Sequence, residues 1–390
     1  MSTEWRFSTL GEFVRLQRGH DLTSAEQEPG SVPIMGSAGP NGSHSKALAK
    51  GPGVVIGRSG ASAGRVHFSE VDYWPHNTCL YVTDFLGNHP RFAYYLLQTI
   101  DLASFNSGSA QPSLNRNFLY AIPLKIPARN IQNEIVEVLE TLDDRITLLR
   151  ETNTTLEAIA QALFKSWFVD FDPVHAKMQG RAPEGMLDAT AAQFPDSFEE
   201  SELGAVPKGW STGKLADIAS LKGGKMLDKT SFSDSGANPV FGGAGVMGFS
   251  DLSNSEGFVI TVGRVGAYCG QYFWHQGRAW VNNNASLVSP INPDDSCWLF
   301  LWLKNVDMDL IKKGAAQPFV SNGDISDLKI VLPPSLVVEK FVQLVEPIFQ
   351  KLSLIREKTQ SLEVLRDTLL PRLISGQILI SDVQIDAKAA

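Results

Sequence analysis

Cysteine is nearly absent from this chain. Cys79, Cys269 and Cys297 are the only three, odd in number and without metal-ligand spacing, so neither a disulfide framework nor a zinc site organises the fold. A reducing, cytoplasmic setting is the expectation. Long hydrophobic runs are missing too. No apolar stretch reaches the ~18 residues of a membrane span. The start, MSTEWRFSTL, lacks a basic-then-apolar signal pattern, so no membrane partner is expected. Catalytic signatures are equally scarce. GRSGASAG at 57–64 has the glycines of a phosphate loop but not its lysine. GGAG at 242–245 is too short and badly placed for a dinucleotide fingerprint. HxH and HExxH spacings do not occur, and Asn238-Pro239 is followed by Val240 and Phe241, not by the proline and aromatic of amino-methyltransferases. No catalytic residue, metal or cofactor is therefore expected on this chain itself.

Excess positive charge is also lacking: the net charge is −8. Its distribution is uneven. Residues 131–207 hold 5 basic and 15 acidic residues, whereas 1–130 hold 11 and 9, and 208–333 hold 11 and 11. The acidity belongs to one helical and linker segment. The flanking regions are near neutral and free to carry local basic faces, which permits nucleic-acid binding.

What the chain does have is a duplication. Residues 33–170 reappear at 239–376 with a fixed offset of 206. Pro33, Gly36, Ala38 and Gly39 become Pro239, Gly242, Ala244 and Gly245; GRSGASAG becomes GRVGAYCG at 263–270; GSAQP at 108–112 becomes GAAQP at 314–318. One fold is used twice, and twin modules suit a target with two parts. Six of the seven histidines lie in the first 180 residues without a counterpart, so a catalytic histidine common to both copies is not expected.

Each copy has two textures. Residues 1–130 and 208–333 are rich in Gly, Ser and Asn, with short apolar runs that read as strands: 54–57, 79–85, 258–263 and 285–291. One helix interrupts them in each, at 90–102 and 296–308, the second with Ser296 as its expected N-cap. Trp298 and Trp302 lie i, i+4 on that helix, the spacing of a core face rather than a base-stacking pair. The second texture is a long helix. From Ile135 to Trp167, apolar residues step alternately by 4 and 3, with Asn153 the only polar member. The partner seam runs from Phe341 to Leu373, with Thr359 at the place of Asn153 and Arg366 at that of Ala160. This is an a/d pattern. The two seams are expected to pair antiparallel, the alternative being burial of each against its own module. Pro347 should kink or restart the second helix. A 33-residue helix is about 50 Å long, enough to hold two modules one to one-and-a-half DNA turns apart. The linker at 170–207 holds Met186, Leu187 and Phe194 and is expected to be ordered. The fold class is thus α+β: two similar mixed α/β domains joined by two long helices forming an antiparallel coiled coil. The boundaries are 1–130, helix 131–169, linker 170–207, 208–333, helix 334–376 and tail 377–390.

Three stretches carry a family resemblance: LFKSWFVDFDPVHAK at 163–177, FPDSFEESELGAVPKGW at 194–210 and LLPRLISGQI at 369–378. With LGAVPKGW as a domain entry sequence, and Trp5 as the counterpart of Trp210, nearly the whole chain resembles a specificity subunit of a type I DNA restriction–modification system. It departs from that pattern at Pro347 and in its short lead-in, MSTEW. The resemblance implies two target recognition domains, each reading half of a bipartite target in double-stranded DNA, with the coiled coil setting the gap and pseudo-two-fold symmetry relating the halves. It implies two modification (methyltransferase) subunits docked on the scaffold, bringing S-adenosylmethionine and adenine methylation. Restriction (motor-nuclease) subunits would complete an ATP- and Mg2+-dependent enzyme. A self-sufficient DNA-modifying or DNA-cleaving enzyme and a structural repeat protein are the competing readings.

For DNA contact, the glycine loops at 57–65 and 263–271 stand first. Arg58 (with Ser59 beside it) and Arg264 occupy the same place in both. A role common to both copies suits phosphate positioning; the plain alternative is a tight turn with a surface arginine. The loops at 108–116 and 314–322 carry Gln111, Asn115 and Arg116, and Gln317 and Asn322, and are read as positioning their flanks. Residues that differ between copies are better base readers. These are Arg18, His20, Arg65 and His76 in the first copy, and Lys222, Lys225, Tyr268, Asn282 and Asn284 in the second.

Overall fold

The computed structural model describes residues 5–106, 113–314 and 317–380. Packing divides the chain into two units: residues 1–148 with 359–390, and residues 149–358.

The first unit is built on a four-stranded antiparallel sheet in the order Arg15–Arg18, Cys79–Asp84, Gly53–Gly57, Val66–Ser69. The strand Gly53–Gly57 is buried throughout because each face has its own core. Val54 and Ile56 point to the helix Pro90–Gln98 and join Phe92, Leu96 and Leu97; Val55 points the other way, to Met35, Tyr73 and Tyr81. That alternation is the two-residue period of a strand read on both faces. A second sheet has the order Gly39–His44, Val32–Gly36, Trp74–Pro75, with the last pair parallel. The helix Pro90–Gln98 starts where proline occupies its first turn and the His89 ring accepts a hydrogen bond from the Arg91 N–H. A two-stranded ribbon, Trp5–Thr9 with Pro123–Pro127, leads into the first long helix.

The second unit repeats this plan. Its sheets run Ala219–Gly223, Ala285–Pro290, Phe258–Gly263, Tyr272–Gln276, and Gly245–Ser250, Asn238–Gly242, Trp280–Val281. Val32–Gly36 and Asn238–Gly242 differ by the offset of 206, as do Cys79–Asp84 and Ala285–Pro290. The repeat also extends upstream of residue 33, with the offset reduced to 205. Leu16 pairs with Val82, and Leu221 with Val288. By the same shift, Trp210 stands one step before the strand Ser211–Lys214, at the place Trp5 holds in the first copy. Trp298 is buried and Trp302 packs beside it, as their spacing required. Ser296 does not cap its helix. The helix grows out of the turn Pro293–Asp295, which Asn292 caps, and the Ser296 hydroxyl donates to the Pro293 carbonyl at 2.6 Å.

The long helices are Arg129–Phe168 and Ser335–Ser375. The second runs through Pro347 without a restart. Pro347 and Gln343, whose carbonyl loses its N–H partner, both lie on the exposed side of the helix. Within the second unit, Phe341 packs on Phe164, Trp167 and Phe168 with ring centroids 5.9, 5.4 and 4.9 Å away, and Arg356 meets Glu157 at 2.6 Å. Positions later on one helix meet positions earlier on the other, so the pair is antiparallel. In the first unit Asp143 meets Arg366 at 2.9 Å and takes the Tyr95 hydroxyl at 2.6 Å. The seams also enter their modules' cores: Ile135 and Leu139 share one with Phe92, and Phe341 and Leu352 share the other with Trp298. Pairing and burial against the module therefore occur together. The linker is ordered, with helix Asp172–Met178 and hairpin Phe198–Ser201/Gly204–Pro207. Phe194 is buried against Trp167 and Trp210, while Leu187 faces solvent.

Candidate nucleic-acid interface

In each unit the candidate residues collect at one end of the four-stranded sheet. Strand pairing brings this about: Arg18 sits opposite Leu80, Gly57 opposite Cys79, and Ile56 opposite Val66, so all four strands have a terminus at this end. The loops that leave them interlock. Arg58 N–H donates to the Thr78 carbonyl at 2.9 Å, and Leu114 N–H to the Arg58 carbonyl at 2.8 Å. In the second unit Arg264 N–H donates to Asn284 at 3.0 Å, and Val320 N–H to Arg264 at 2.9 Å. The same frame is built twice. Gly19 and Gly224 permit it: a Cβ would lie 2.0 Å from the His76 carbonyl oxygen in one and 2.1 Å from that of Asn282 in the other.

The glycine loop has both cramped and open positions. Gly64 and Gly270 have no room for a side chain, a Cβ falling 2.7 Å from the Ala103 backbone and 2.9 Å from Met308, so they close the turn. Gly60 and Gly266, at φ +76° and +81°, have nothing within 4 Å of a built Cβ. There the backbone is open to an approaching group.

The side chains differ between copies. The Arg58 guanidinium donates to the Asn77 carbonyl at 3.3 Å. That of Arg264 lies over Gly223, and its Nε is buried without a partner among the described residues. Arg18 pairs with Asp21 at 3.2 Å. Among the described residues Arg58, Arg65, Lys222, Lys225 and Arg264 have no acidic partner within ion-pair distance. His20 shares a 3.3 Å contact with the Tyr81 hydroxyl and bridges to His76, whose Nδ1 is 3.0 Å from Thr78 Oγ1. Ser59 bridges to Ser113. Arg65, Lys222, Lys225, Tyr268, Asn284 and Gln317 are exposed, and Asn282 is half-buried against the Met247 sulfur at 3.8 Å. Three residues spend groups internally. Asn115 caps a short helix, Arg116 holds the Leu16 carbonyl at 3.1 Å, and Asn322 accepts from the Ser286 hydroxyl at 2.6 Å. Gln111 lies outside the described residues.

Comparison with known proteins bears on this frame. The model of the type I restriction modification DNA specificity domain matches residues 2–158 and again 207–364, the two copies in turn. The chain belongs to this family. The HindI specificity subunit of Haemophilus influenzae is 28% identical, over 74% of this chain and 77% of that protein. The MjaIX specificity subunit of Methanocaldococcus jannaschii is 23% identical, over 75% and 70%. The crystal structure of the type I restriction-modification system S subunit from M. genitalium shares the fold, with a TM-score of 0.64 at 19% identity over 95% of this chain and 96% of that one.

Within this specificity-domain frame, sequence reasoning missed Ser37. Its hydroxyl donates to the Thr78 carbonyl and accepts from the N–H groups of Arg58 and Ser59 at 3.2 Å each, tying two loops together. Ser37 lies among matched positions, Gly36, Ala38 and Gly39, while its own counterpart is Gly243. His67 Nε2 donates to the Ser37 carbonyl at 3.1 Å, and the ring is held below the ordinary histidine pKa, by burial first and by Arg65 as well. Burial pushes the Cys79 and Cys297 thiols up to about 12, so neither is a ready nucleophile. Among the described residues no cluster of His, Cys, Asp and Glu could hold a metal, and no helix is long and apolar enough to cross a membrane.

Proposed function

We propose that this chain is the DNA-reading subunit of a type I restriction–modification assembly, each module reading one half of a bipartite double-stranded target and the paired long helices setting the gap. The observation that carries the reading is the twice-built loop frame with its open glycine backbone and cations lacking acidic partners. Gly60 and Gly266 leave the backbone open beside Arg58 and Arg264, a combination of close approach and cation suited to phosphate, although the Gly266 N–H itself is taken by the Pro318 carbonyl at 2.9 Å. Because both copies keep it, the frame fixes position on the backbone. The side chains that differ between copies then read bases.

The chain itself is non-catalytic in this reading and binds no cofactor. Two modification subunits supply S-adenosylmethionine and methyl transfer, and restriction subunits use ATP and Mg2+, all in the cytoplasm. Footprinting of the assembled complex tests the proposal: two protected patches with an unread gap are expected. A heptad added to each long helix lengthens the helix by about 10.5 Å and the gap by about 3 bp at roughly 3.4 Å per base pair. One uninterrupted patch, or a gap that ignores the insertion, would refute it.

A further inference from the structure

The two loop frames share a backbone but not a surface chemistry. In the second unit the frame carries Met226, Val246, Met247, Val265, Tyr268 and Phe319, each between 39% and 78% exposed. The equivalent positions in the first unit are Asp21, Pro40, Asn41, Ser59, Ser62 and Ser113. Five of those six are polar, so at these positions the apolar side chains are confined to one copy.

Backbone contacts bring the loops that carry these residues together. Val265 and Phe319 pair across a β-bridge, and the Met247 sulfur meets Asn282 at 3.8 Å. Gly243 lies against the backbone oxygens of both Val265 and Asn284, a built Cβ falling 3.4 Å from each. Met226 follows Lys225, whose N–H bonds to Val281, the residue before Asn282. Lys222, Lys225 and Arg264 border the patch without acidic partners among the described residues. An exposed apolar patch of this kind marks a contact surface, and its cationic border selects a polyanion.

We infer that the second module reads its half-site largely through thymine C5-methyl groups, with Met247, Tyr268 and Phe319 as the methyl-contacting residues, whereas the first module reads through hydrogen bonds. In the major groove the thymine methyl is the one apolar feature among donors and acceptors, so apolar side chains there discriminate thymine. This rests on the proposal that both modules read DNA. It goes beyond that proposal in assigning a base and a contact chemistry to one of them.

The test uses the assembled complex and its mapped target, with all thymines of one half-site at a time replaced by uracil. That change removes the methyls and leaves every hydrogen-bonding edge. The expected result is weaker binding by about fourfold per contacted methyl at one half-site, and no change at the other. The variant Met247→Asn/Tyr268→Ser/Phe319→Ser, which installs the first module's residues, should lose that discrimination and keep its dependence on salt; Tyr268→Ser alone should show part of the loss. Specific binding with equal affinity for thymine and uracil at both half-sites overturns the inference while the proposed function stands. So does a half-site discrimination untouched by either variant. If the variants fail to assemble with the modification subunits yet still discriminate, the patch serves a protein partner and the inference also falls. Absence of any two-part binding by the unaltered complex would instead remove the reading beneath it.

Discussion

Phe341 joins the paired helices to the second module, and truncating it measures how firmly. It is fully buried, and three aromatic rings surround it at centroid distances of 4.9 to 5.9 Å. Phe341→Ala removes that ring from a site that cannot collapse, because Trp167 and Phe168 are held in turn by Phe194, Trp210 and Trp298. A buried Phe→Ala change costs about 3–5 kcal/mol, and the ring contacts place this one toward the middle or top, near 4 kcal/mol. With a urea slope of about 2–3 kcal/mol per molar, the unfolding midpoint drops by roughly 1.5 M. Tryptophan emission follows the transition directly, since Trp167 touches Phe341. Leu354→Ala on the same helix, 65% exposed, is the control and should change stability by no more than ~0.5 kcal/mol. A loss below ~1 kcal/mol for Phe341→Ala, or equal losses for the two variants, would show that the helix pair is not anchored through this cluster.

Two further outcomes are expected. Arg58→Ala and Arg264→Ala, made separately, should each lower the slope of log affinity against log salt by about 0.9, read by anisotropy with the assembled complex; an unchanged slope in both excludes phosphate contact there. His67 and His275 are both held below the ordinary value of 6.5, burial being the main cause. Such a histidine contributes its full stability above about pH 6.5 and loses it as pH falls from there toward the folded value. Thermal stability should therefore decline on acidification below that point. His67→Phe, which places there the residue found at Phe273 in the second copy, should flatten the decline of the first unit. An unaltered pH profile for this variant would contradict the burial assignment.

The duplication made most of the fold legible, because a fixed offset carries turns, strands and long helices together. Strand runs such as 258–263 are continuous enough to announce a buried central strand. The upstream strands were harder. One residue is gained between the copies before position 33, so a rigid offset hides the match of Leu16 with Leu221 that the strand register reveals. Of the kink or restart expected at Pro347, the restart does not occur: the helix Ser335–Ser375 is continuous there, and the proline lies on its exposed side. Ser296 was misread because a 3-10 turn precedes the helix and moves the cap back to Asn292. At the candidate interface polar residues were sought as readers, so Tyr268 was named, whereas the exposed apolar side chains Met247 and Phe319 were passed over. Ser37 escaped because its importance lies in joining two loops distant in sequence, which no local pattern records.

The division of the chain also has a consequence for its rearrangement. The second unit is one unbroken stretch, 149–358, while the first is made of two pieces that flank it. The topology is that of an insert within a host. Both junctions fall inside helices, close to where Asp143 and Arg366 clasp the host's own ends together. A genetic exchange with breakpoints at those junctions would transplant a whole head with its share of the stalk, leaving the recipient's remaining core uncut.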